Sequence, residues 1–161
     1  MSLCAFLIAL LITNTKAFNI RGHGVATVMK FDNSAVTSAL EKRGGGRGTW
    51  YTGGDLKNAA CFGRKGRPDF TPKASDMIGA MKMHGFENCD KCMKVTNTEN
   101  KNTVIVKIVD KCAGCDNNSA IDLTPAAFKK LEKDLGEGVL KISWKVVDCP
   151  SNIEDIGPND D

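Results

Sequence analysis

The sequence predicts a mainly β domain, stabilised by disulfides and carrying one or two short helices. Three observations support this: three strand-length runs of β-branched and apolar residues, a capped amphipathic helix between the last two, and six cysteines from Cys61 onward. The 161 residues, 42% apolar and 25% charged, are enough for one domain with a modest core. They exclude a multidomain enzyme, a long disordered chain and a collagen-like fibre.

The clearest strands are Met93–Thr96, Thr103–Val109 and Leu140–Val147. In the last of these, Leu140, Ile142, Trp144 and Val146 alternate with Lys141, Ser143 and Lys145, the pattern of a sheet with one buried face. Gly48–Tyr51 gives a further strand signal, bounded by glycines. Period alone leaves Ser75–Met81 open between a short strand and a helical turn. The helix is expected to start at Thr124 as N-cap with Pro125 in the first turn. It aligns Phe128, Leu131 and Leu135 on one face and is expected to stop at Gly136.

Residues 1–17 read as a secretory signal peptide, with an apolar run from Leu3 to Ile12 and a small residue, Ala17, before the cut. Ten apolar residues are too short to span a bilayer. Cleavage would remove Cys4 from the seven cysteines and leave Cys61, Cys89, Cys92, Cys112, Cys115 and Cys149, an even set suited to an oxidising compartment. Residues 18–43 contain no cysteine and end in Glu41-Lys42-Arg43 before three glycines. This is either a propeptide with a kexin-type processing site or a disordered basic segment, so the folded domain is expected over 44–150. The acidic end, 151–161, is expected to be a disordered tail.

Between Glu41 and Lys73 eight basic residues face three acidic ones, a local +5. Rich in Gly and Arg, the stretch reads as a solvated loop, and nucleic acid is not an expected partner. Cys89-x-x-Cys92 and Cys112-x-x-Cys115, nineteen residues apart, also fit a four-cysteine zinc pattern. Against zinc stand the secretory leader and the two cysteines that such a site would leave over, Cys61 and Cys149. Disulfides are the expected state, with no metal and no cofactor.

Four motifs in order, Cys89-Asp-Lys-Cys-Met-Lys-Val-Thr-Asn97, Ile108-Val-Asp-Lys-Cys112, Ile121-Asp-Leu-Thr124 and Val146-Val-Asp-Cys149, resemble those of the barwin family. The resemblance covers about residues 48–149. It implies a six-stranded double-psi β-barrel, shared with the first domain of expansins, family 45 endoglucanases, rare lipoprotein A and plant natriuretic-peptide-like proteins. It also implies Cys61–Cys89 and Cys92–Cys149 bridges, leaving Cys112 and Cys115 to close on each other where barwin-type proteins use an upstream cysteine that this chain lacks.

In expansins and their relatives a groove on the barrel holds polysaccharide, and the resemblance places Thr49, Trp50, Tyr51, Asp110 and Asp122 along it. Aromatic faces cover the C–H faces of sugars, and carboxylates accept hydrogen bonds from hydroxyls or protonate a glycosidic oxygen. Asp122 is the candidate acid; before the cap Thr124 it is also a natural helix-dipole partner. Asp110, beside a cysteine, is also a natural turn former, and Trp50 a natural core residue alongside Trp144. Hydrolysis needs a second group, and the base of family 45 endoglucanases, an Asp two residues after a Tyr, has no counterpart. Tyr51 is followed by Thr52, Gly53 and Gly54, and the first acid is Asp55. The acid motif reads Ala120-Ile121-Asp122-Leu123 rather than His-Phe-Asp-Leu, and His84 is not set as the extra His of rare lipoprotein A is. No glycosidase activity is expected.

Asn117-Asn118-Ser119 is an N-glycosylation sequon near the proposed groove. The expectation is a secreted, monomeric, expansin- or barwin-like barrel that binds cell-wall or extracellular polysaccharide without hydrolysing it, with no membrane contact after the leader is cut. A protease-inhibitor-like or other protein-binding module, acting through the basic loop 53–73, is the alternative, and a weak glycosidase the third.

Overall fold

The computed structural model describes residues 20–28, 58–115 and 120–158. In chain order the elements are β1 (Arg21–Val28), β2 (Ile78–Met81), β3 (Cys92–Asn97), β4 (Thr103–Lys111), β5 (Ile121–Leu123), α1 (Pro125–Leu131), a 3-10 turn (Leu135–Glu137), β6 (Val139–Val147) and α2 (Ser151–Glu154). The six strands close into a barrel in the order β1-β5-β2-β4-β3-β6. Two neighbouring pairs, β1 with β5 and β2 with β4, are parallel; the other pairs are antiparallel.

The barrel fills from the alternating positions of its strands. Met93 and Val95 of β3, Val104, Val106 and Ile108 of β4, Ile121 and Leu123 of β5, and Leu140, Ile142 and Trp144 of β6 share one apolar core with Phe128 and Leu131 of α1. Burying side chains of this kind stabilises a fold by about 1.5–3 kcal/mol each before entropy is counted. The Ser75–Met81 stretch resolves as a strand from Ile78, because β2 is flanked on both sides, by β4 and β5, and buried throughout.

The amino end differs from the expected boundary at residue 44. Arg21–Thr27 pairs antiparallel with Val139–Lys145, and Ala26–Val28 pairs parallel with Ile121–Leu123. Without β1, β5 and β6 would each have an unpaired edge, so part of the segment assigned to a propeptide or a disordered region is a barrel strand.

The carboxyl end differs too. Ser151–Glu154 forms a helical turn with Ile153 buried, and Lys107, itself buried, donates from Nζ to the carbonyls of Glu154 and Ile156 at 2.7 Å each. A charged donor shared by two carbonyls holds the chain end against β4, so the tail is ordered through residue 158.

Helix α1 starts as expected: Thr124 accepts from the Ala127 amide at 3.2 Å and its hydroxyl donates to Asp76 O at 2.7 Å. It ends at Leu131, one turn before Gly136. Side-chain amides of Asn97, Asn100 and Asn102 donate to Leu131 O at 3.4, 2.9 and 3.2 Å, and Glu132 turns extended. Donors from the β3–β4 connection thus satisfy a terminal carbonyl that would otherwise call for another turn. Leu135 and Gly136 lie in the separate 3-10 turn, where Asp134 caps Gly136.

Candidate functional site

The residues singled out from the sequence fall into two groups. Thr49, Trp50, Tyr51, Asp55, the Lys42-Arg43 site, the leader and the Asn117 sequon lie outside the described residues. Asp110 and Asp122 are described, and the barrel brings them together. Ala80 of β2 pairs with Asp110 of β4 on one side and with Asp122 of β5 on the other. Paired residues share a face, so the two acids flank Ala80 across three adjacent strands, their Cα atoms about 10 Å apart at normal strand spacing.

A bulge makes this possible. The β2–β4 register shifts after Gly79, which pairs with Ile108 whereas Ala80 pairs with Asp110, leaving Val109 as the extra residue. Strict alternation after Val104, Val106 and Ile108 would aim Asp110 into the apolar core. The inserted residue keeps Val109 in the core instead and turns Asp110 to the opposite face. Asp122 reaches that face by ordinary alternation between the core residues Ile121 and Leu123.

On this face Ala80 packs with Cys112, Cys115 and Ala120 in a small buried cluster separate from the barrel core. Asp110 is 6% exposed and Asp122 2%. One oxygen of Asp110, Oδ1, accepts from the Ala60 and Lys111 amides, both at 2.8 Å. These two donors order the strand end and aim the carboxylate. Asp122 Oδ2 lies 3.1 Å from Cys112 Sγ.

Disulfides join Cys61 to Cys89, Cys92 to Cys149 and Cys112 to Cys115. Cys89 and Cys92 therefore belong to different bridges, and the four-cysteine zinc arrangement is not formed. The first bridge ties the basic loop to the turn before β3, and further contacts order it there. Arg64 stacks on Phe86, 3.4 Å from the ring centroid, and Arg67 stacks on Phe62 at 4.4 Å. Arg67 also makes a bidentate pair with Asp90, which raises the pKa of its guanidinium further. Lys111 Nζ lies 5.1 Å from the Phe86 centroid, bringing this basic and aromatic surface up to the strand end that carries Asp110.

Ala80, Phe86 and the contact between Asp122 and the Cys112 sulfur were not singled out from the sequence. Phe86 had a signal, as a lone aromatic between Gly85 and Glu87 in a polar turn. Ala80 had none, because its importance lies in its two pairings.

A closed six-stranded mixed barrel with parallel β1–β5 and β2–β4 pairs, few short helices and three disulfides defines a double-psi β-barrel protein. Residues 72–149 match the sequence model of the Barwin family, which together with the fold supports the barwin- and expansin-like resemblance. The barrel is similar to the crystal structure of an apo expansin from Clavibacter michiganensis, with a TM-score of 0.52 and 23% identity over 82% of this chain and 52% of that one. A Streptomyces papain inhibitor gives a TM-score of 0.48 at 24% identity, over 80% of this chain and 96% of that one. Among curated proteins, a putative ripening-related protein 4 of Oryza sativa subsp. japonica is 28% identical over 101 residues, covering 55% of this chain and 46% of that protein. The chain thus spans about half the length of that curated relative and of the expansin.

Proposed function

We propose that this protein is secreted and binds a cell-wall or extracellular polysaccharide, without cleaving it, on the barrel face that carries Asp110, Ala80 and Asp122. The observation that carries the reading is the pairing of both acids with Ala80. The two carboxyl groups share one face of three adjacent strands, both buried, with Ala80 between them packed against Cys112, Cys115 and Ala120. The match of residues 72–149 to the Barwin family model supports a role of this kind. By the family resemblance, Trp50 and Tyr51, with Thr49, would add aromatic and hydroxyl contacts to the sugar; all three lie outside the described residues. Binding without hydrolysis rests on the missing counterpart of the family 45 base and on Asp110 Oδ1, already engaged by two backbone donors.

Pull-down on insoluble cellulose, chitin, glucan and peptidoglycan tests the reading. The expected result is retention on at least one of them, lost in Tyr51→Ala and Asp122→Ala, with no release of reducing ends. Retention on none of the four would refute it.

A second reading is favoured by the order of the basic loop. Arg64 on Phe86, Arg67 on Phe62 and Asp90, and the Cys61–Cys89 bridge hold residues 61–70 in one conformation. A preorganised exposed loop loses little entropy on docking to a protein such as a protease. Inhibition of a papain-type protease, weakened by Arg67→Ala, would support this reading in place of the first.

A further inference from the structure

We propose that Cys112, Cys115 and Asp122 form a binding site for a thiophilic divalent cation, closed while the two sulfurs are bonded and opened when a dithiol reduces them. Nothing in this proposal depends on polysaccharide binding.

The donor atoms are already neighbours, two of them joined in the disulfide. The Sγ atoms of Cys112 and Cys115 and a carboxylate oxygen of Asp122 all lie within 4.8 Å of one another, and all three residues are buried. A tetrahedral zinc-type ion, with bonds near 2.3 Å to sulfur and 2.0–2.2 Å to oxygen, places its ligand atoms roughly 3.5–3.8 Å apart, so the two sulfurs must separate by about 2 Å once their bond is reduced, while Asp122 Oδ2 already lies 3.1 Å from Cys112 Sγ. Thiolate sulfur selects ions of this class over magnesium or calcium. The fourth position would be left to water, as in an open site.

The barrel can tolerate the reduction. Cys61–Cys89 and Cys92–Cys149 span 28 and 57 residues of sequence, whereas Cys112–Cys115 spans three. The constraint that a disulfide places on the unfolded chain grows with loop length, so the short bridge contributes least to the fold. Ala113 at the tip of its loop is exposed, although Cys112 and Cys115 are themselves buried while Cys89 and Cys149 are half-buried, so selectivity in reduction rests on the short loop and not on exposure.

The chemistry balances. A dithiol attacks the Cys112–Cys115 bond, two electrons pass to the protein sulfurs, and the reductant leaves as its own disulfide. The cation then displaces the two thiol protons and forms two metal–sulfur bonds. Without a cation, two thiolates and the Asp122 carboxylate would crowd like charges into a buried space. A divalent ion offsets that repulsion, which couples its binding to the reduced state.

The test uses the full chain, treated briefly with a dithiol that is then removed, alkylated in one aliquot and titrated with Cd2+ in another. Peptide mapping is expected to find alkyl groups on Cys112 and Cys115 with the other two bridges intact, and circular dichroism to report an unchanged barrel. Cd2+ is expected to bind one per chain with a thiolate-to-metal ultraviolet band. That band should be absent from the oxidised protein and from the Cys112→Ser/Cys115→Ser variant. Asp122→Asn should weaken the affinity on the order of tenfold or more, losses of 10–100-fold being usual even for outer-shell partners. Opening of another bridge first, unfolding on reduction, no band in the reduced barrel, or equal affinity in Asp122→Asn would each overturn the site.

Discussion

The indole of Trp144 occupies the space where Gly22 has no side chain: a Cβ at Gly22 would come within 2.6 Å of Trp144 Cζ2 and 2.8 Å of Cε2. The two residues are paired across β1 and β6. Glycine is needed here for close approach, not for an unusual backbone angle. Gly22→Ala is therefore expected to destabilise the protein by about 1–3 kcal/mol, the usual range for overpacking. That corresponds to a melting temperature lower by roughly 4–10 °C. Trp144→Phe, which removes the overlapping ring atoms, should recover part of the loss in the double variant. An unchanged melting temperature in Gly22→Ala would mean that β1 is not part of the folded barrel in solution.

Much of the barrel was legible because its strands and helix start obey local rules. Leu140, Ile142 and Trp144 alternate, and Thr124-Pro125 is a cap written in two residues. Strand β1 escaped because RGHGVATV holds two glycines, a histidine and an arginine and gains its stability from β5 and β6 rather than from its own composition. The end of α1 was misplaced because its stop signal, three asparagine amides on Leu131 O, comes from some thirty residues upstream. Asp110 and Asp122 were named as residues, but the bulge at Val109 that sets them on one face is a property of the pairing.

Lys107 gives a second prediction. Its Nζ serves Glu154 O and Ile156 O, and replacing it with Met would keep the apolar stem while leaving both carbonyls without that donor. A loss of about 1.5–3 kcal/mol is expected. Amide exchange should rise first at Ile153 to Ile156, whose amides close the α2 turn. Uniform loss of protection across the barrel, with none concentrated at this end, would count against the clamp.

The three bridges should not contribute equally. Removing Cys92–Cys149, with a separation of 57 residues, is expected to cost about 4 kcal/mol, and removing Cys112–Cys115, with a separation of three, about 2 kcal/mol by the chain-entropy relation. Paired Cys→Ala variants unfolded in denaturant would measure both. The reverse order would show that the short bridge acts through native contacts, the one with Asp122 among them.

Glu87 gives the pH prediction. Its carboxylate accepts from the backbone amides of His84 and Gly85 at 3.0 and 2.9 Å. A bond from its own amide, together with those from His84 and Gly85, holds its pKa below the usual glutamate value. A group with a depressed folded pKa stabilises the fold above its unfolded pKa, and that contribution disappears as pH falls through the folded value. The 84–87 turn is therefore expected to be intact at neutral pH and to loosen only in acid, below the normal range of a free glutamate. The amide resonances of His84 and Gly85 should move together over that acid range. In Glu87→Gln they should show no such transition, because an amide cannot gain the proton. A shared midpoint at or above the ordinary glutamate value would show that the carboxylate does not cap this turn in solution.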